Sequence, residues 1–191
     1  MSFERLEWPL LTARLTLRPA RASDAAEIWG WQQLPEVIQW TPRQLASLEA
    51  FTDHWVKHLD RTLVVAQGGR LIGSAKVSVQ NAWSQEEVVT QAAGAEAEIG
   101  WALDPSIHGQ GYGTELAVSL LVICFDGLGL HRVVGICFAD NAASARVMEK
   151  AGMRREAHFR ADSLHRDGRW YDTYCYAMLA SEWAQQRASD S

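Results

Sequence analysis

Ile107-His108-Gly109-Gln110-Gly111-Tyr112-Gly113-Thr114-Glu115 is the stretch on which the reading of this chain turns. Three alternating glycines stand between an extended run, Glu96 to Asp104, and an apolar run, Leu116 to Phe125. A backbone without side chains can bring several N–H groups onto one anion. A helix that follows adds its positive end and its unpaired amides. The same glycines would serve a tight turn, but a strand before and an apolar helix after favour an anion cradle. A dinucleotide fingerprint would follow the first strand of a repeating βαβ unit, with an acidic residue about 20 positions on. This loop instead lies past mid-chain, behind several hairpin strands. A Gly-Lys-Ser or Gly-Lys-Thr phosphate loop is absent. Coenzyme A also carries a pyrophosphate, and it remains.

Outward from the loop, alternation in Glu96–Asp104 puts Ala97, Ile99, Trp101 and Leu103 on one strand face and Glu96, Glu98, Gly100 and Ala102 on the other. Upstream, Leu15 and Leu17 mark a strand stopped by Pro19. Ser23-Asp24 can cap a helix running to Leu34. Pro42 precedes a second helix, where Leu45, Leu48, Phe51, Trp55 and Leu59 recur at helical spacing. Leu63–Ala66 and Leu71–Val79 read as a hairpin, and Asn81–Ala95 as a polar loop. Downstream, a helix from Gly113 to Phe125 ends at Gly127 and Gly129, and Val133–Phe138 is a buried strand. Asn141–Ala151 is a helix ending at Gly152. His158–Ala161 and Trp170–Leu179 are strands joined through Asp167-Gly168, and a short helix starts near Glu182. The order is mixed α/β of the α+β type, with a sheet built largely from hairpins. No repeat or linker divides residues 1–191, so one domain is expected, with a core at about 10–180.

The bulk properties narrow the partners. A net charge of -5 disfavours a nucleic-acid or anionic-membrane surface and suits an amine-bearing substrate. The longest apolar run, Leu116–Phe125, falls short of the roughly 20 residues of a bilayer span. Glu4 and Glu7 interrupt the N-terminal run, so a signal peptide is not expected. Cys124, Cys137 and Cys175 lack metal-ligand spacing and read as buried thiols in a reducing cytoplasm. His54 and His58 lie one helical turn apart without an evident third ligand, so no metal is expected. Of nine tryptophans, Trp29, Trp31 and Trp40 crowd the region after the first strand. They serve either core packing or an aromatic wall over a substrate, and they also allow a homodimer.

Taken with Glu98-Ile99-Gly100-Trp101, Gly129-Leu130-His131-Arg132-Val133, Asn141-Ala142-Ala143-Ser144 and Glu149-Lys150-Ala151-Gly152-Met153, the loop resembles the GNAT N-acetyltransferase superfamily, more narrowly its RimJ/RimL-like branch. The resemblance implies a central mixed, mostly antiparallel sheet that splays midway and is flanked by helices. It implies acetyl-CoA as co-substrate, its pantetheine arm pairing with the backbone of Trp101, Ala102 and Leu103. The pyrophosphate then lies on the amides of His108, Gly109, Gln110, Gly111, Tyr112, Gly113 and Thr114. The family usually places Gln or Arg where this chain has His108.

Acyl transfer to an amine requires loss of the amine proton, stabilisation of the oxyanion and departure of the thiolate. Glu98 is the candidate base, directly or through water. Otherwise it anchors a cationic substrate. Asn141 and Ser144 either cap a helix or approach the cofactor arm, Ser144 then protonating or hydrogen-bonding the leaving sulfur. Other superfamily members use a Tyr later in this helix, where Met148 stands here, so Tyr174, Tyr176 and solvent are the other candidates. Glu98, Trp31 and Trp40 are the expected substrate contacts. The expected reaction is acetylation of a primary amine, on a protein N-terminus, through a ternary complex. The alternatives are a small-molecule amine or antibiotic N-acyltransferase and a non-catalytic acyl-CoA sensor. The basic turn His165–Arg169 is solvated, or touches a phosphate of the cofactor.

Overall fold

Strands β1 (Leu10–Leu11) and β2 (Thr16–Pro19) open the computed structural model, which describes residues 3–189. Helices α1 (Ala25–Gln32), α2 (Pro35–Ile38) and α3 (Leu48–Val56) follow, and then the hairpin β3 (Thr62–Gln67) and β4 (Arg70–Gln80). The short α4 (Val89–Ala92) precedes β5 (Glu96–Leu103), α5 (Tyr112–Val122) and β6 (Arg132–Phe138). The chain continues through α6 (Ala142–Lys150), β7 (Arg154–Leu164), β8 (Trp170–Leu179) and α7 (Ala180–Ser189). The strands form an eight-stranded mixed sheet in the order β1-β2-β3-β4-β5-β6-β8-β7. β1–β2, β2–β3, β3–β4, β6–β8 and β7–β8 pair antiparallel, and β5–β6 parallel.

The chain packs as two units: residues up to Val77 with Gly100–Ser119, and Ser78–Ile99 with the chain from Leu120 onward. In the first, β3 is buried on both faces, with Leu63, Val64 and Val65 at 0% exposure. Ile28, Trp31, Phe51, Trp55 and Leu71 join Val64 in one apolar cluster. Area burial of this kind contributes about 25 cal/mol per Å². Polar groups fix its edges: Trp55 Nε1 donates to Arg21 O at 2.9 Å, and the Leu71 amide donates to Glu27 Oε1 at 2.7 Å. Arg18 grips Asp24 through both oxygens at 2.8 Å. Burial works against the Asp24 carboxylate, but the Arg18 and Arg21 bonds outweigh it and hold its pKa below the ordinary value.

The second unit pairs Glu96–Ile99 of β5 with Arg132–Gly135 of β6, and there the parallel pairing ends. Gly135 provides the seat for α6: a Cβ on it would meet Met148 Sδ at 2.7 Å. Met148 is therefore a core side chain, 2% exposed. Helix α7 docks through Trp183, whose ring stacks on Phe125 at 5.9 Å and whose Nε1 donates to Asp126 Oδ1 at 2.7 Å.

Several expected boundaries move. The second long helix starts at Leu48, capped by Ser47, because the Ser47 hydroxyl accepts from the Ala50 amide at 3.2 Å and claims the first turn. Leu45 consequently lies ahead of it, and Pro35 starts the extra short helix α2. The polar loop 81–95 carries α4. β7 is far longer than His158–Ala161. Its exposure pattern hid it from periodicity, since it pairs along β8 with two register shifts. Cys124 and Cys137 are buried, and burial pushes their thiols up to about 12 and about 11, with Glu149 adding to the second. Cys175 is only half-buried, against expectation, since it lies on β8 beside the largely exposed strand β7.

Substituting Gly135 by Ala forces Met148 off its seat. The expected cost is about 1–3 kcal/mol, read as a lower urea midpoint with an unchanged m-value.

Candidate active site

Asp104 closes β5 and starts the loop. Its carboxylate is 4% exposed, accepts from the Ser106 amide at 2.8 Å and pairs with Arg70, while its own amide donates to Ile72 O at 2.9 Å. Burial raises its pKa, but the Ser106 and Arg70 contacts prevail and hold it low. A 3₁₀ turn, Pro105–Ile107, then delivers the glycines. Gly109 (φ +76°) and Gly111 (φ +84°) occupy the left-handed region that other residues disfavour. Gly113 lies inside the first turn of α5 at ordinary φ, so only two of the three glycines are required by backbone conformation. Glu115 makes the first helical bond, to Gly111 O at 3.1 Å, and the His108 amide is taken by Pro105 O at 3.1 Å, against expectation, so the amides that a helix start leaves to an anion begin at Gly109. No side chain enters the space beside Gly109, where a Cβ would meet nothing within 4 Å. The loop therefore suits a pyrophosphate. His108 is exposed and its Nε2 lies 3.3 Å from Leu103 O, back along β5.

Sequence reasoning missed a residue here. Arg14, in the β1–β2 turn, donates through Nη1 to Gln110 O at 2.9 Å and through Nε to Glu115 Oε2 at 2.7 Å. Its guanidinium covers the Tyr112 ring at 4.2 Å. Thr12 Oγ1 and the Arg14 amide both donate to Glu115 Oε1, at 2.5 and 2.9 Å. No local motif announces this contact, because its partners are 96 residues or more apart in sequence. Burial raises the pKa of Glu115, yet the Thr12 and Arg14 bonds lower it overall.

The second unit holds the proton-transfer candidates. Glu98 is half-buried on β5 opposite Val134, and its charge helps raise the Cys175 pKa, though burial of that thiol is the larger cause. Glu96, on the same face, instead joins an ion-pair chain through Arg132 (3.7 Å) to Glu156. Asn141 caps α6: its Oδ1 accepts from the Ser144 amide at 3.1 Å. That is the capping role, and it orients Ser144 in the first turn, half-buried. Tyr176 is fully buried and donates to Glu149 Oε1 at 2.7 Å, and burial followed by Glu149 pushes its pKa up to about 12. Tyr174 is half-buried, its ring 4.8 Å from His158 and under the Arg155 guanidinium at 4.6 Å. Immediately ahead of α6, a cleft of about 460 Å³ is lined by Asp140, His158, Arg160, Arg169, Asp172 and the rings of Trp170, Tyr171 and Tyr174.

The tryptophans divide. Trp31 is 5% exposed in the α1–α3 core, so its ring offers no wall to a substrate; Trp40 remains half-buried. Packing against α3 and β3 residues distant in sequence decided this, which spacing within α1 alone did not specify. His54 and His58 rings lie 4.2 Å apart, and among the described residues no group of three or more His, Cys, Asp or Glu is placed to hold a metal. The basic turn closes on itself, Arg169 pairing with Asp167 at 2.7 Å.

The family model "Acetyltransferase (GNAT) domain" matches residues 14–154. The chain belongs to the GNAT acetyltransferase family. An uncharacterized N-acetyltransferase, YnaD of Bacillus subtilis (strain 168), is 41% identical over 86 residues, 45% of this chain and 50% of that protein. The matched stretch spans about half the length of the curated relatives. A GNAT-family acetyltransferase structure from Bacillus anthracis aligns at TM-score 0.77 and 27% identity, over 91% of this chain and 99% of that one. Spermidine N-acetyltransferase from Vibrio cholerae, solved with CoA and spermine, shares the fold at TM-score 0.75 and 20% identity, over 91% and 99%. The GNAT fold expected from the motifs is thus present.

Because the Glu115 pKa is lowered on folding, its contribution is complete above the unfolded-state value of about 4.3 and is lost as pH falls through the folded one. Glu115→Gln should therefore lower the unfolding midpoint at pH 7, and the gap from the parent should shrink below about pH 4. Urea titrations across pH 3 to 7 measure it.

Proposed function

We propose that this protein is an acetyl-CoA-dependent N-acetyltransferase of one catalytic domain that acylates a primary amine within a ternary complex. The observation that carries the proposal is the loop 109–114: two left-handed glycines deliver a row of open amides to the start of an 11-residue helix. Bound acetyl-CoA supplies the thioester acyl group. In this reading the amides of Gly109 to Thr114 hold the pyrophosphate. The backbone of Trp101, Ala102 and Leu103 pairs with the pantetheine amides, which suits strand residues beyond the point where β5–β6 pairing ends.

Glu98 accepts the ammonium proton, directly or through one water, and the neutral amine attacks the thioester carbonyl. Backbone N–H groups steady the oxyanion. As the C–S bond breaks, the attacking nitrogen gives up its second proton to the departing thiolate, relayed by the Ser144 hydroxyl, with Tyr174 the alternative relay. Tyr176 already donates to Glu149, which disfavours it for that role.

The acceptor we favour is a peptide N-terminus, as in the RimJ/RimL-like branch. In the cleft ahead of α6, Arg169 already pairs with Asp167 and Arg160 with Asp172, so what it offers an amine-bearing chain end is Asp140 beside the rings of Trp170, Tyr171 and Tyr174. The second reading, a small polyamine, draws on the Vibrio cholerae neighbour solved with spermine. Among the described residues no helix is long and apolar enough to cross a membrane, and we place the activity in the cytoplasm.

Thiol release from acetyl-CoA with a panel of N-terminal peptides, spermine and amino sugars tests the reading. Peptides should be turned over fastest; preference for spermine selects the second reading, and CoA binding without turnover on any amine overturns the enzyme reading. Glu98→Gln should cut kcat by about tenfold or more and displace the alkaline-rising limb of the pH profile. Ser144→Ala should lower kcat more than it raises KM for acetyl-CoA; the reverse pattern leaves Ser144 a binding group.

A further inference from the structure

We propose that Arg14 is the positioning residue of the phosphate cradle, holding the Gln110 carbonyl so that the Gly111 N–H faces the pyrophosphate. The proposal rests on the coenzyme A reading of the loop. Arg14 Nη1 donates to Gln110 O at 2.9 Å. The sole cis peptide among the described residues is Trp8–Pro9, so the Gln110–Gly111 bond is trans. In a trans peptide the C=O and the following N–H point in opposite directions within one rigid plane. Fixing the Gln110 carbonyl on Arg14 therefore turns the Gly111 N–H away from the β1–β2 turn. A loop with glycine on both sides of Gln110 would otherwise rotate that plane at little cost, presenting a carbonyl where the anion needs a donor.

Arg14 is itself fixed in place. Nε and Nη2 both reach Glu115 Oε2 at 2.7 Å, the Arg14 amide reaches Oε1 at 2.9 Å, and the guanidinium lies 4.2 Å from the Tyr112 ring centre. A side chain 42% exposed would ordinarily wander; these contacts hold it. The loop is shaped to receive it: a Cβ on Gly111 would stand 3.4 Å from Arg14 Nη2. Glu115 takes up the guanidinium charge, so Arg14 acts through the peptide plane and not as an ion pair with phosphate. His108 does not serve this purpose, for its ring leans back toward Leu103 O.

The test compares dissociation constants of the full chain for coenzyme A, 3′-dephospho-coenzyme A and pantetheine, the last lacking the pyrophosphate. Variants are Arg14→Ala, Arg14→Lys and, as a control on the staple and the turn, Thr12→Val, which removes a Glu115 contact and the bond from the Leu15 amide without touching Gln110. Losing one charge-assisted bond and the aim of one amide should weaken both nucleotides by about tenfold for Arg14→Ala. Pantetheine should change by less than about twofold, Arg14→Lys should fall between, and Thr12→Val should bind as the parent does. Equal weakening of coenzyme A and pantetheine would reduce Arg14 to a structural staple and overturn the proposal. So would unaltered coenzyme A binding in Arg14→Ala, or a loss confined to the 3′-phosphorylated ligand. Failure of the parent protein to bind coenzyme A would instead overturn the proposed function. Should Arg14→Ala not fold, the Arg14→Lys and Thr12→Val pair decides by the same ligand ratios.

Discussion

A buried carboxylate fixes the point where strand becomes cradle. Asp104 is nearly inaccessible, yet it is charged, because Arg70 and the Ser106 amide satisfy it while its own amide is tied to Ile72 O. A charge in that position without partners would be costly, so the end of β5, the tip of β4 and the 3₁₀ turn are held in one arrangement. The glycine loop inherits its starting direction from this anchor. Arg14 and Glu115 then secure its far end from the β1–β2 turn.

Glycines elsewhere have a different purpose. Gly73 admits the Leu103 side chain, whose Cδ2 lies 2.5 Å from where a Cβ would be, and Gly135 admits Met148 in the same way. Both allow close approach instead of unusual backbone angles. Gly73 brings β5 onto β4 in the first unit; Gly135 brings α6 onto β6 in the second. The helix cap at Asn141 and the strand position of Glu98 are each held by this packing, so the chemistry assigned to Glu98 and Ser144 rests on side chains that do none of it.

Electrostatics separates residues that look equivalent in sequence. Glu96 and Glu98 share a strand face, but Arg132 claims Glu96. Tyr174 and Tyr176 share another, but Tyr176 is fully buried and donates to Glu149. In each pair a partner distant in sequence sets one member's environment apart from the other's.

Much of the fold was legible. The hairpin of β3 and β4, the β5 alternation, the loop and α6 follow from local rules: period-two burial, glycine at positive φ and an Asn cap. These depend on neighbours a few residues away, so the order of residues is sufficient. β7 was largely hidden because an exposed strand has no hydrophobic period to display. The seat of Met148 on Gly135 and the Arg14 clamp escaped for another reason, as did the choice between core and substrate wall for Trp31. Each is set by partners distant in sequence, and a contact 96 residues long leaves no trace in local spacing. The sequence by itself determined that a glycine loop joins the β5 strand to an apolar helix, because turn chemistry is local. Only the tertiary structure decided which side chain holds the Gln110 carbonyl, because a peptide plane that runs into a glycine has little preferred direction until a distant donor takes hold of it.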